Sequence, residues 1–237
     1  MDTATYVALS RQTGLMNEMR IVANNIANAA TTGYRQEGVI FSEYIKSAPG
    51  DSSLSMSRAQ VRNTSLDQGT LTQTRGTFDF AIEGDGFFLI DTPNGPRLTR
   101  AGAFSPSAEG DLVTQAGHRV LDAGGAPLFV PGDAAIAVAA DGTLSADGQP
   151  LGQIGVVVPE DPLSLIREDG VMFRTEGGTV PADSARVLQG FLEASNVNPI
   201  LQIARMIEVQ RAYEAGQHLL EAEDQRIRSA VKTLIRT

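Results

Sequence analysis

The chain is helical at both ends and cannot be helical between them, and this pattern excludes most fold classes. Residues 4–30 hold no proline and one glycine, Gly14. Leu15, Met19, Val22 and Ile26 recur at steps of four, three and four, which places them on one face of a helix. Ala8 and Ala29 extend that stripe by sevens. Asn24, Asn25 and Asn28 interrupt it late, and Thr31-Thr32-Gly33 supplies a stop, with Gly33 suited to the left-handed conformation beyond a helix end. At the far end, Asn198-Pro199 reads as an N-cap followed by proline in the first helical position. After Pro199 no proline follows, and Gly216 is the only glycine. Met206, Tyr213, Leu220, Ile227 and Leu234 fall at successive sevens, with Ile203 and Val231 as companions, which is a coiled-coil-like seam. Gln210, Gln217 and Asp224 take the remaining companion positions, a pattern that weakens a simple dimer and suits register control or a multi-helix assembly.

Between the helices the texture changes. Phe87-Phe88-Leu89-Ile90, Ile136-Ala137-Val138 and residues 154–158 read as short strands. Asn94-Gly95, Asp141-Gly142 and Asp147-Gly148 are turn signals, because both residue types tolerate positive φ. The expected fold class is therefore α+β: long N- and C-terminal helices, paired with each other, flank a central all-β domain of sandwich or barrel type. The expected divisions are 1–35 for the first helix, 36–75 for an extended link, 76–185 for the β domain and 186–237 for the C-terminal segment and helix. Within the link, the serine-rich residues 48–57 read as an exposed loop. The apolar stripes need a cover. Either both helices pack on the sheet of a compact monomer, or they pack against copies in neighbouring subunits.

Composition removes several functions. At 42% hydrophobic content the 237 residues can bury a core. A net charge of −9 argues against nucleic acid, which demands a surplus of Lys and Arg, and against an anionic membrane surface. No stretch approaches the ~18 apolar residues of a membrane span. The start, Met1-Asp2-Thr3-Ala4-Thr5, carries no basic and apolar signal pattern. With no cysteine there is no disulfide, thiolate nucleophile or Cys-based metal site. His118 and His218 lie in different zones and lack zinc-ligand spacing, so both read as structural residues. Glu83-Gly84-Asp85-Gly86 lacks the spacing of a phosphate loop, and Asp141-Gly142 lacks the ligand positions of a calcium loop. A turn accounts for each. No catalytic, cofactor or metal site is expected, and the chain reads as a non-enzyme.

Four segments carry a resemblance. Ala23-Asn24-Asn25-Ile26-Ala27-Asn28-Ala29-Ala30-Thr31-Thr32-Gly33-Tyr34 resembles the N-terminal signature of the flagellar rod and hook axial proteins. Gln68-Gly69-Thr70-Leu71 with Phe80-Ala81-Ile82-Glu83-Gly84-Asp85-Gly86-Phe87-Phe88 is a second match. Leu98-Thr99-Arg100-Ala101-Gly102-Ala103-Phe104, continuing through Gly110 to Gly117, is a third. The fourth is Leu192-Glu193-Ala194-Ser195-Asn196-Val197-Asn198-Pro199, running into Met206-Ile207-Glu208-Val209-Gln210-Arg211-Ala212-Tyr213-Glu214. They occur in the family's order and reach both ends of the chain. Within the family, Met1-Asp2, Tyr6-Val7-Ala8-Leu9-Ser10 and the ending Glu223-Asp224-Gln225-Arg226 most resemble the proximal rod subunits.

The resemblance implies a structural subunit of the flagellar basal-body rod, polymerising through its terminal helices, with the β domain outside the axial tube. Its partners would be copies of itself and other rod proteins. It would leave the cell through the flagellar type III export apparatus, without a cleaved signal, to reach the periplasm-spanning rod. The subunit interface is then expected at Leu15, Met19, Val22, Ile26, Ile203, Met206, Tyr213, Leu220 and Ile227. Asn24, Asn25 and Asn28 either bond amide to amide between subunits or serve to end the helix. Two other readings stay open: a distal-rod or hook-like axial subunit, and a β-domain protein that binds or cleaves peptidoglycan.

Overall fold

The computed structural model describes residues 2–46, 54–132, 134–182 and 184–235. The chain divides into two compact units, and it passes between them four times in sequence. The first comprises Met1–Ala27, Glu37–Asn63 and Asn198–Thr237; the second comprises Asn28–Gln36 and Thr64–Val197.

The first unit holds α1 (Asp2–Ala27), the two-stranded sheet of β1 (Glu37–Lys46) and β2 (Leu54–Thr64), and α2 (Pro199–Ile235). The extended link expected over 36–75 thus carries strands. Of the loop expected at 48–57, residues 48–53 lie outside the described residues, while Leu54 onward belongs to β2. The α2 start is capped as its sequence requires. Asn198 Oδ1 accepts from the backbone N–H of Ile200 at 3.1 Å and of Leu201 at 3.2 Å, satisfying two donors that the first helical turn leaves open.

The second unit is all-β. It contains β3 (Leu71–Gln73), β4 (Phe80–Glu83), β5 (Phe87–Thr92), β6 (Gly95–Thr99) and the strands that follow to Phe191–Glu193. A nine-stranded antiparallel sheet runs in the order Leu165–Asp169, Met172–Thr175, β6, β5, Arg119–Val120, Leu112–Thr114, Phe104–Pro106. Val156–Pro159 also pairs with β5, and Thr179–Pro181 pairs with Val156–Pro159. Two short ladders flank it, β4 with Arg186–Gln189 and β3 with Phe191–Glu193.

The unbroken apolar run of β5 follows from this arrangement, because side chains alternate across a strand and both faces are covered. Phe88 and Ile90 enter one buried cluster with Phe80, Phe104, Leu112 and Val120. Phe87 enters a second, with Leu98, Val157, Leu165 and Phe173, and Leu89 packs against it. Phe88 meets Phe104 edge-on, ring centroids 5.3 Å apart at 81°. Burying one such side chain stabilises by about 1.5–3 kcal/mol, so two clusters suffice to define the unit. The hairpin between Thr143–Ala146 and Gln149–Gln153 turns on Asp147 (φ 49°) and Gly148 (φ 79°), both left-handed as a two-residue turn requires.

Candidate assembly interface

Contacts between α1 and α2 identify the face each helix presents within the subunit. Gln12 Nε2 donates to the Tyr213 carbonyl at 2.9 Å, and Glu18 Oε1 lies 2.6 Å from Arg205 Nη2. Asn25 Nδ2 donates to Gln202 Oε1 at 3.2 Å. As α1 advances its partners on α2 recede, so the two run antiparallel. These contacts are polar although the line is buried: Gln12, Glu18, Asn25 and Gln202 are each under 9% exposed. Asn25 also grips the first residue of β1, donating to the Glu37 carbonyl at 2.8 Å while its Oδ1 accepts from the Glu37 N–H at 3.0 Å. A peptide at a sheet edge obtains in this way the two bonds that a neighbouring strand would otherwise give it.

On α2 the buried or half-buried line is Gln202, Met206, Val209, Tyr213, Gly216, Leu220 and Glu223, alternating steps of four and three. Met206, Tyr213 and Leu220 belong to it, as their sevenfold spacing suggests. Their companions lie one residue before the positions chosen by periodicity. Ile203, Gln210, Gln217, Asp224 and Val231 are exposed. A sevenfold repeat fixes the stripe and leaves open the flank toward which it leans. Here α1 makes the choice, and Gly216 assists it, since a Cβ there would stand 2.4 Å from Gln12 Nε2. On α1, Val22 is buried and Leu15, Met19 and Ile26 are half-buried, with Ile21 the buried residue their spacing missed. Asn24 is exposed. In the second unit, Asn28 accepts at Oδ1 from the Thr31 hydroxyl at 3.1 Å and at its carbonyl from the Thr31 N–H at 3.0 Å, within the turn that follows α1.

Further apolar residues on α2 are left exposed. In the antiparallel register, with both helices rising about 1.5 Å per residue, the first turn of α1 falls opposite the stretch near Leu220. The rest of α2 runs on past it. Ile227 (41% exposed) prolongs the inner stripe there, and Val231 (48%) stands one turn further on. On the first two turns, Ile200 (76%), Ile203 (50%) and Ile207 (44%) form a separate outward patch. The apolar residues of α2 thus lie on more than one face of the helix.

The four sequence segments also meet in the β unit, around Glu193. Its carboxylate lies 3.1 Å from Arg35 Nη1 and 3.0 Å from Arg100 Nη1, and accepts from the Gly69 N–H at 2.8 Å. Arg100 further donates to the carbonyls of Ile82 (3.1 Å) and Gly84 (2.6 Å), and Arg35 to that of Asp67. All three charged side chains are at most 2% exposed. Loss of hydration pushes the Arg100 guanidinium down to about 10 and lowers that of Arg35, with Glu193 opposing the shift in both; each stays charged at neutral pH. Asn196 ties the same segments together. Its Oδ1 accepts from the Gln36 N–H at 2.6 Å and its Nδ2 donates to the Asp67 carbonyl at 2.9 Å. Gly33 sits here at φ 70°, its N–H on the Glu193 carbonyl at 2.8 Å, and a Cβ would fall 2.3 Å from the Ala101 nitrogen. Arg167 is held between the rings of Tyr34 (4.3 Å) and Phe173 (4.6 Å). The arrangement is a clasp. It fastens segments next to three of the places where the chain changes unit, and it presents no nucleophile or paired acid and base to a substrate. Among the described residues no group of His, Asp and Glu is placed to hold a metal.

Comparison with known proteins accounts for the same segments. Residues 6–35 match the family model "Flagella basal body rod protein", 81–173 the "Flagellar hook protein FlgE/F/G D1 domain", and 188–233 the "Flagellar basal body rod FlgEFG protein C-terminal". The flagellar basal-body rod protein FlgF of Caulobacter vibrioides is 40% identical, over 99% of this chain and 98% of that one. The chain belongs to the flagellar basal-body rod protein family. Its relatives also include FlgF of Rhizobium meliloti, 36% identical over 99% of this chain and 98% of that one. FlgG of Bacillus subtilis is 30% identical over 98% of each. What sequence reasoning missed in this rod-family chain is the polar set: Gln12, Glu18, Arg205, Arg35, Arg100, Glu193 and Asn196. Apolar periodicity carries no trace of them. Arg100, Glu193 and Asn196 do lie inside the quoted segments, which was the available signal.

Proposed function

We propose that this chain is a structural subunit of the flagellar basal-body rod, at the proximal position of the FlgF relatives, and that it polymerises through α1 and α2. The observation that carries this reading is the continuation of the inner α2 stripe at Ile227, with Val231 one turn further on, beyond the reach of α1, and a second apolar patch at Ile200, Ile203 and Ile207. Heterologous contacts between such faces do not close on themselves and generate a helical array. The terminal helices pair within each subunit, and copies of this chain and other axial proteins cover the remaining faces. Relatives named as FlgF, 36–40% identical over nearly the whole chain, favour the proximal position over that of FlgG. The task is mechanical and needs no catalysis. Delivery proceeds through the flagellar type III export apparatus, and the final location is the basal body.

Ile227→Asp tests the interface, because that side chain prolongs the stripe where α1 no longer covers it. The isolated variant should keep the wild-type circular dichroism and melting temperature and fail to enter rods. Normal incorporation would remove Ile227 from the interface.

A further inference from the structure

The β unit carries an open cleft of about 440 Å³. Ile90 and Thr99, each 1% exposed, lie at its inner end, and half-buried Ala101, Ala103, Val171 and Met172 give it apolar walls. The Thr99 hydroxyl is already bonded, donating to the Val171 carbonyl at 3.1 Å and accepting from the Ala101 N–H at 3.1 Å. The inner end therefore makes no demand for a polar ligand, and an apolar group can enter without stranding a buried donor or acceptor there. Asp169 borders the cleft, exposed, and forms no ion pair among the described residues. Elsewhere on the chain, Ile200, Ile203 and Ile207 follow one another at steps of three and four and make a single exposed ridge on α2. That spacing is the one by which a helix seats its side chains in an apolar groove. Four residues on, Arg211 continues the same face, exposed and likewise without an ion pair among the described residues.

We propose that the cleft receives this ridge from a second copy of the chain, with Ile203 in the cleft and the Arg211 of that copy against Asp169. Apolar contact supplies the affinity, and the opposite charges at the rim set the register. A ridge and a cleft on different parts of one chain make a heterologous contact. A copy whose cleft is filled still presents its own ridge, so the contact propagates instead of closing a dimer. The proposal rests on the reading of the chain as a self-assembling rod subunit and names two surfaces that meet.

The absence of cysteine from the chain gives a clean background for the test. Chains carrying Ile203→Cys and chains carrying Ala103→Cys are co-expressed in place of wild type, and isolated basal bodies are treated with a short bismaleimide. The expected product is a crosslinked dimer that forms only when both variants are present. Asp169→Arg and Arg211→Asp should each lower the amount of this chain in basal bodies by about tenfold, because like charges then face each other at the rim. Both changes in one chain should restore it. Both positions are exposed, so the isolated variants should keep the wild-type circular dichroism and melting temperature. Basal bodies that contain both cysteine variants without a crosslink would overturn the docking and leave the rod reading standing. So would single charge reversals that enter normally, or a double reversal as poor as the singles. Absence of the wild-type chain from basal bodies would overturn the docking and the rod reading together.

Discussion

Asn25 holds the peptide of Glu37 by both of its polar groups, donating to the carbonyl at 2.8 Å and accepting from the N–H at 3.0 Å. The side chain is 1% exposed and also reaches Gln202 on α2. One residue therefore joins α1, β1 and α2 inside a single unit. Asn25→Ala leaves both groups of a buried peptide without their partner, a loss of roughly 2–4 kcal/mol. Asn25→Asp retains the acceptor and loses the donor, so its deficit should be greatest when the new carboxyl is ionised and should shrink in acid. Urea unfolding at neutral and acid pH checks both outcomes. Wild-type midpoints for Asn25→Ala would remove this bond from the account of the fold.

Gly33 and Gly117 separate backbone strain from close approach. Both have positive φ, 70° and 83°, and in that region an alanine costs about 1–2 kcal/mol. A Cβ at Gly117 meets nothing within 4 Å, whereas at Gly33 it strikes the backbone of Arg100 and Ala101. Gly33→Ala should therefore lower the melting temperature clearly more than Gly117→Ala. Equal losses would show that the contact beside Ala101 yields freely.

Glu168 provides an acid-sensitive tie across the β unit. Hydrogen bonding from Arg97 Nε at 2.5 Å, with Arg174 Nε at 3.0 Å, holds its carboxyl below the ordinary carboxylate value. A carboxyl depressed by folding contributes stability that is fully present above its unfolded pKa. That contribution is lost as pH falls through the lower folded value. Wild type should accordingly be more stable than Glu168→Gln near neutrality, with the difference vanishing as pH drops below about 4. A difference constant with pH would exclude titration of Glu168 as the cause.

The uncovered end of α2 bears on the isolated subunit. Short helices without tertiary cover are marginal in water, and Arg226, Arg228 and Lys232 all lie in the part of α2 beyond α1. Limited trypsin digestion should cut there first, before Arg205, which is bonded to Glu18, and should spare the β unit. Early cleavage at Arg205 with an intact C-terminus would place the weak region elsewhere.

Much of this fold is legible in the chain because its causes are local. Asn198 and Pro199 announce α2, Gly33 marks the turn after α1, and an apolar run without alternation at Phe87–Ile90 reports a strand buried on both faces. The heptad of Met206, Tyr213 and Leu220 is equally visible. Its flank is not, because Gln12, Glu18 and Asn25 decide it from a distant part of the sequence. The clasp is less legible still: Arg100 and Glu193 are 93 residues apart and Asn196 and Asp67 are 129 apart, so nothing in either neighbourhood specifies the other. The asparagines illustrate the limit. Their polarity on an apolar stripe signals a special role, yet the partner of Asn25 proves to be a peptide of its own subunit, and its amide is bonded there rather than held in reserve.

The central claim is that this chain builds part of the rod, and electron microscopy of basal bodies from a strain lacking it tests that claim most directly. The expected images show basal bodies halted at the membrane ring, without a completed rod or hook. Complete rods and hooks on motile cells would contradict the account.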